Sequence, residues 1–213
     1  GDWSSDVCSS DLWTQAAADG IPVITLDETR NEWVLNTRIQ YLIDESRNIM
    51  VEDIRAGRHE QEFQNIEDAQ ANFGFRNAVF WMRFDLRYQP RQARGPKTWW
   101  LSFNYPLLDF VDIHYRDARG RPQVFEGGDL RPFANNALAF PRATLGLTLE
   151  PGQVMPILIR VESQSSVQLA LSAWSDKGIA DHISGVRLLD GILFGIMAIM
   201  ALYNLFLFLA VRD

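Results

Sequence analysis

Residues 191–211 read GILFGIMAIMALYNLFLFLAV, and no charged side chain interrupts them between Asp190 and Arg212. This run constrains the chain more than any other stretch. As a helix it would be about 32 Å long, close to the roughly 30 Å hydrocarbon core of a bilayer. An amphipathic helix of a soluble protein carries a polar stripe every three or four residues, and this run has none. Twelve of its residues are Leu, Ile, Val or Phe, which together favour insertion by about 4–7 kcal/mol. Tyr203 and Asn204 oppose it, but a neutral Asn costs less than the roughly 2.5–3.5 kcal/mol of a central charge. The run is expected to be a transmembrane helix, not the buried hairpin helix of a large soluble core. Gly191 and Gly195 form a G-x-x-x-G pair that lets a second helix approach closely, and the Asn204 amide needs an interhelical partner. The helix is therefore expected to pack against further helices, in a chain that continues past Asp213.

At the other end, residues 2–12 read DWSSDVCSSDL. This string resembles the translation of a short-read sequencing adapter, so residues 1–12 are set aside from fold reasoning. Cys8, the only cysteine, falls inside that segment. The rest of the chain is left with no disulfide and no thiol chemistry. Removing Asp2, Asp6 and Asp11 takes the formal charge from −7 to −4, and so mild an acidity gives no nucleic-acid footprint. Next, Ala16, Ala17 and Ala18 offer a small-residue cleavage site before Asp19. Residues 13–18 are thus read as the remnant of a signal peptide, with an ordinary N-terminal tail as the alternative.

Residues 19–175 make one domain, large enough to bury a core. Their dominant period is two, which signals strands. FWMRFDLR (80–87) puts Phe80, Met82, Phe84 and Leu86 on one side and Trp81, Arg83, Asp85 and Arg87 on the other. VDIHY (111–115) alternates in the same way, with Asp112 and His114 on one face. Strands are also expected over 32–43, 98–105, 143–149, 155–163 and 166–174. EPGQ (150–153) forms a tight hairpin turn and DARG (117–120) marks another. VEDIRAG (51–57) suits a turn or two of helix. Many short strands with regular turn signals predict a mainly β, antiparallel jelly-roll sandwich. Residues 176–190 are expected to be a linker from the sandwich to the membrane helix.

Catalytic motifs are scarce. His59, His114 and His182 are far apart and lack metal-ligand spacing, and no P-loop, G-x-S-x-G or G-x-G-x-x-G is present. No catalytic residue, metal or cofactor is expected. The informative feature is the polar face of 81–87. There Trp81 would stand as an aromatic platform beside Arg83 and Asp85, which suits a sugar or small polar ligand. Trp100 and Asn104 would join it if their strand presents that face, and Asp112 and His114 share a strand face of their own. The competing reading is structural: Arg83 and Asp85 as a cross-strand pair, and Trp81 packed under a loop.

The chain also resembles the bacterial seven-transmembrane receptors with diverse intracellular signalling modules. The resemblance runs through YLID (41–44), EDI (52–54), NFGFRNAVFWMRFDL (72–86), WWLSFNYPLLDFVDIHYRDARG (99–120) and GGDLRPF (127–133). It continues through FPRATLGLTLEPGQ (140–153), ILIRVESQSSVQLALSAWS (157–175) and the terminal GILFGIMAIMALYNLFLFLAVRD (191–213). It implies an extracytoplasmic sensor domain of the second type, similar to carbohydrate-binding modules, followed by the first of seven helices. It also implies a cytoplasmic output module such as a diguanylate cyclase or histidine kinase. Arg83, Asp109, Asp129, Arg142 and Arg160 fall at positions resembling family-typical ones. No ligand-residue motif comes with the resemblance.

The leading expectation is a ligand-sensing domain of a bacterial inner-membrane receptor, its sandwich in the periplasm or outside the cell. The expected partners are the membrane, a carbohydrate or small-molecule ligand, and a second copy of the chain or a periplasmic protein, but no nucleic acid. Two alternatives are a periplasmic protein-interaction domain and, less favoured, a membrane-anchored hydrolase. Lys177 and Arg187 precede the apolar run and Arg212 follows it, so charge counting leaves the orientation open. If export proceeds as read, N-terminal sequencing of the mature protein begins near Asp19. A mature chain that keeps residues 13–18 contradicts that reading.

Overall fold

The computed structural model describes residues 20–66, 72–92, 95–117, 119–138 and 140–211. The segments 1–12 and 13–18 lie outside the described residues. Two sheets form the body of the molecule. The larger contains β3 (Gln40–Asp44), β4 (Gln64–Asn65), β6 (Val79–Tyr88), β8 (Phe110–Arg116), β9 (Pro122–Gly127) and β11 (Val154–Glu162), in the order β4-β3-β6-β11-β8-β9. β1 (Val23–Leu26) adds to the far half of β6 in parallel; the other pairings in this sheet are antiparallel. The smaller sheet contains β2 (Glu32–Val34), β7 (Lys97–Phe103), β10 (Thr144–Leu149) and β13 (Leu171–Ser175), ordered β10-β7-β13-β2. A short antiparallel ribbon pairs β5 (Asn72–Phe75) with β12 (Ser166–Gln168).

The alternation of the sequence places the core. In β6, Phe80, Met82, Phe84 and Leu86 are fully buried and face inward; β11 adds Ile157, Ile159 and Val161. Opposite them stand Trp99, Leu101 and Phe103 of β7, Leu145, Leu147 and Leu149 of β10, and Leu171 and Ala173 of β13. Period-two sequences thus bury one face of each sheet against the other, as in a two-layer sandwich. The mainly β, antiparallel architecture read from the alternation is the one the chain adopts.

Three expected elements differ. Residues 32–43 are two strands, because the chain changes sheets between them. Asn36 is buried, its Oδ1 accepts the Leu171 N–H at 2.8 Å, and a 3-10 turn spans Asn36–Arg38. Residues 166–174 likewise divide into β12 and β13. The third difference is at the membrane side. Residues 176–190 are no irregular linker: α2 (Asp176–Val211) is one uninterrupted 36-residue helix that starts directly after β13. It is long and apolar enough to cross a membrane, and its most apolar stretch has no part buried against the sandwich.

The sandwich depends on the β6 inner face. Phe84→Ala is expected to lower its stability by about 3–5 kcal/mol, the usual cost of emptying a buried aromatic site. Denaturant unfolding of the purified chain, followed by tryptophan fluorescence, measures it.

Candidate functional site

The outer face of the larger sheet starts from β6. Its polar set was expected to meet water, but Trp81 is 1 % exposed, Asp85 1 % and Arg83 7 %. The lid over Trp81 and Arg83 is α1 (Val51–Arg55) with its flanking loops. Trp81 packs with Leu42, Ile54, Val79 and Leu158, and Ile49, Val51 and Phe63 close the cluster. One carboxylate holds this lid in place. Buried Asp44 accepts the Ser46 hydroxyl at 2.6 Å and the Arg47 and Ile49 amides at 2.8 and 2.9 Å. Arg47 takes a left-handed φ of 59° inside that turn. Asp53 then accepts the Met50 amide at 3.1 Å and begins α1. Trp81 therefore packs under a loop and offers no open aromatic platform.

Arg83 reaches the rim of the lid. It donates to Gln40 at 2.9 Å, pairs with Glu60 at 2.5 Å, and lies 3.9 Å over the Phe63 ring. Asp85 has no such partner: its Oδ1 is buried without a hydrogen bond among the described residues. Burial pushes its carboxyl above the usual range, against the pull of Arg87 and Arg83.

Farther along the same face, charges form a row across three strands. Arg47 pairs with Glu162 of β11, and Glu162 with Arg160 at 2.7 Å. Arg160 lies 3.7 Å from Asp112 of β8, Asp112 pairs with Arg131 at 3.2 Å, and Arg131 lies 3.8 Å from Glu126 of β9. The register causes this order, since Arg160 stands opposite Asp112 and Asp112 opposite Glu126. Arg131 also lies 5.2 Å over the Phe110 ring. Burial raises the Asp112 carboxyl even though two guanidinium groups oppose it. His114, one pair along β8, sits beside α1. Burial pushes its imidazole down to about 4; Arg55 and Arg160 add to the shift and Glu52 resists it.

Trp100 and Asn104 lie elsewhere. They belong to the outer face of the smaller sheet, with the core between them and Trp81. The first turns of α2 double back over that face. Asp176 accepts the Trp100 indole N–H at 2.7 Å. His182 lies 4.6 Å from the Trp174 ring and 5.8 Å from Phe140, and its Nε2 is 3.2 Å from an Arg142 nitrogen. Gly178 is buried against Asn31, whose carbonyl oxygen would stand 2.3 Å from a Cβ there. Asn104 donates to Ser172 at 3.0 Å, and Ser172 to Glu32 at 3.1 Å. Burial, with Arg142 adding to it, lowers the His182 imidazole, and Glu32 opposes.

The seven residues singled out for ligand binding thus divide into two sets on opposite sides of the molecule. Gly191, Gly195 and Asn204 lie on the exposed part of α2, where both glycines have open space around them. Sequence reasoning did not single out Asp44, Arg131, Arg142 or His182 for the roles they take. The family-typical positions of Arg142 and Arg160 were the available signal. Among the described residues, no group of three or more His, Cys, Asp or Glu side chains is placed to hold a metal ion.

A family model described as 7TMR-DISM extracellular 2 matches residues 36–175. The chain belongs to this family. The 7TMR-DISM match begins at Asn36, in the turn that carries the chain from β2 of the smaller sheet to β3 of the larger, and ends at Ser175, the residue before α2. The molecule is therefore an extracellular 7TMR-DISM sensor domain joined directly to an apolar helix of membrane-spanning length. No curated protein matches the chain.

His114 gives this domain a testable pH response. Its folded-state value lies below the ordinary 6.5, so the unfolded chain binds the extra proton. The contribution of His114 is complete above about pH 6.5 and is lost as the pH falls toward 4. Denaturation midpoints at pH 7 and pH 5 should therefore differ more in the parent than in His114→Gln.

Proposed function

We propose that this chain is the ligand-sensing portion of a bacterial inner-membrane receptor, with its sandwich in the periplasm. In this reading α2 is the first membrane helix, and a cytoplasmic output module such as a diguanylate cyclase or histidine kinase follows the complete set. The observation that carries the reading is the unbroken path from sheet to helix. β13 passes into α2 without a loop, and Trp100, Trp174 and Gly178 seat its first turns on the smaller sheet. A shift of that sheet moves the helix, which is what a receptor needs if ligand is to favour one arrangement over another.

The ligand in this reading is a carbohydrate or another small polar molecule, bound at the partly exposed end of the charged row. Asp112, Arg131 and Arg160 supply hydrogen-bonding groups there, and Phe110 supplies an apolar surface. Arg131 is 30 % exposed at its side chain, and its Nε is unpaired among the described residues. A ligand hydroxyl or carboxylate could exchange for part of its bond to Asp112. The lid keeps Trp81 out of direct contact, so Trp81→Ala would act through stability.

Calorimetric titration of the detergent-solubilised chain with a panel of sugars and small polar acids tests the proposal. The expected result is at least one binder whose affinity drops tenfold or more in Arg131→Ala while the fold is kept. No binder across the panel, or a binder indifferent to Arg131→Ala, contradicts the assignment.

A further inference from the structure

The two ends of the sandwich differ sharply in polarity. At one end lie the connections 27–31, 89–92, 117–121 and 150–153, and among the described residues there no large apolar side chain is exposed. At the other end lie the connections 45–50, 104–109 and 128–138 and the β5–β12 ribbon. Met50, Phe75, Leu107, Leu130 and Phe133 are 49–81 % exposed there. Outside α2 the other exposed large hydrophobic residues, Val23, Val34 and Val124, sit within strands.

The apolar end is also the one toward which α2 runs. Asp176 begins beside Trp100, and Ser175 pairs with Trp99. Six residues later His182 touches Phe140 and Arg142, in the connection that precedes Thr144, and Thr144 pairs with Ser102. The helix therefore travels from the Trp99 level toward the Phe103 level and leaves there. Residues 183–190, with Ile183 and Val186 still partly buried, lead from the His182 contact to the uncharged run, about 12 Å of helix. A bilayer interface takes roughly 5–8 Å of this on one side. Loops that extend past the sheet ends fill the remainder.

We propose that this end of the sandwich rests on the lipid surface, with Phe75, Leu107, Leu130 and Phe133 entering the boundary between headgroups and acyl chains. The inference rests on the reading of α2 as a membrane helix. Apolar side chains partition into that boundary in proportion to the area they bury. Because α2 already holds the domain beside the bilayer, a few such contacts suffice to fix its tilt without having to recruit it. The lipid then acts as a second support for the domain and limits the angles the sandwich can take about α2.

Single-cysteine labelling of the full chain tests this. In a Cys8→Ser background, an environment-sensitive fluorophore is placed at Arg76→Cys or Ala134→Cys, beside Phe75 and Phe133. Arg119→Cys labels the opposite end, and Ala198→Cys labels the middle of α2. The chains are reconstituted in phosphatidylcholine–phosphatidylglycerol vesicles containing nitroxide lipids. Quenching by half or more is expected at Arg76→Cys and Ala134→Cys from shallow nitroxides, at Ala198→Cys from deep nitroxides, and not at Arg119→Cys. Adding Phe75→Ser, Leu130→Ser and Phe133→Ser should abolish the shallow quenching and leave that of Ala198→Cys. Quenching at Ala198→Cys without any at Arg76→Cys and Ala134→Cys overturns the inference and leaves the receptor reading standing. In that case, protection of the same labels from aqueous iodide identifies a protein cover, such as a second copy. Absence of quenching at Ala198→Cys overturns both readings.

Discussion

The seating of α2 on the smaller sheet is the interaction from which the rest of this molecule takes its meaning. Without it the sandwich would be a tethered globule, and its internal geometry would have no consequence beyond the tether. Gly178 permits the contact, since a side chain at that position would meet the Asn31 carbonyl. Trp100 and Trp174 provide the floor, Asp176 fixes the first turn by accepting an indole N–H, and His182 packs against Trp174 and Phe140. Each of these groups belongs to a strand of the smaller sheet or the residue before it, to the adjoining 140–142 segment or to the helix itself. The junction is therefore built from the same hydrogen-bonded framework that holds the core, and a displacement of one is a displacement of the other.

The larger sheet plays a different part. Both faces of β6 are buried along most of its length, by the core on one side and, at Val79 and Trp81, by the cluster under α1 on the other. Farther along the sheet, β8 and β9 keep a half-exposed outer face on which charges alternate by register. Such a row is held together by mutual pairing, and each exposed member contributes little to stability because water screens it. Half-buried His114 sits at the margin of the row and keeps the cost of its burial.

The sequence carried the periodic part of this structure well. Strict alternation in 80–87 and 111–115 identified inward faces correctly, and the charge-free 191–211 run identified the apolar helix. What alternation leaves open is the outward face. A polar set in a strand reads as solvent-facing, yet Trp81 and Arg83 are buried because the earlier segment that carries α1, Glu60 and Phe63 folds back over them. The signal lay in the Asp44 carboxylate, which collects three donors from the following turn and is silent in a pattern based on hydrophobicity. Trp100 could not be placed on a sheet by its spacing, since assignment to one sheet or the other depends on long-range pairing. The linker was misread for a local reason. SDKGIADHISG contains two glycines and several short polar residues, a composition typical of loops; Gly178 serves instead as the close-approach point of a helix that tertiary packing maintains.

A continuous helix from the sheet to the apolar run makes a definite claim about the segment that joins them. Residues 183–190, in which Ile183 and Val186 are still partly buried, must keep their helical hydrogen bonds between the folded sandwich at one end and the apolar run at the other. Amide hydrogen exchange across 176–190, measured on the full chain in lipid nanodiscs, tests this directly. If the sandwich and the apolar helix form one mechanical unit, these amides exchange at least a hundredfold more slowly than unstructured peptide, with no gap in protection between His182 and Gly191. Exchange of 183–190 at the unstructured rate, with protection kept on either side, would mean a flexible joint and would contradict the account.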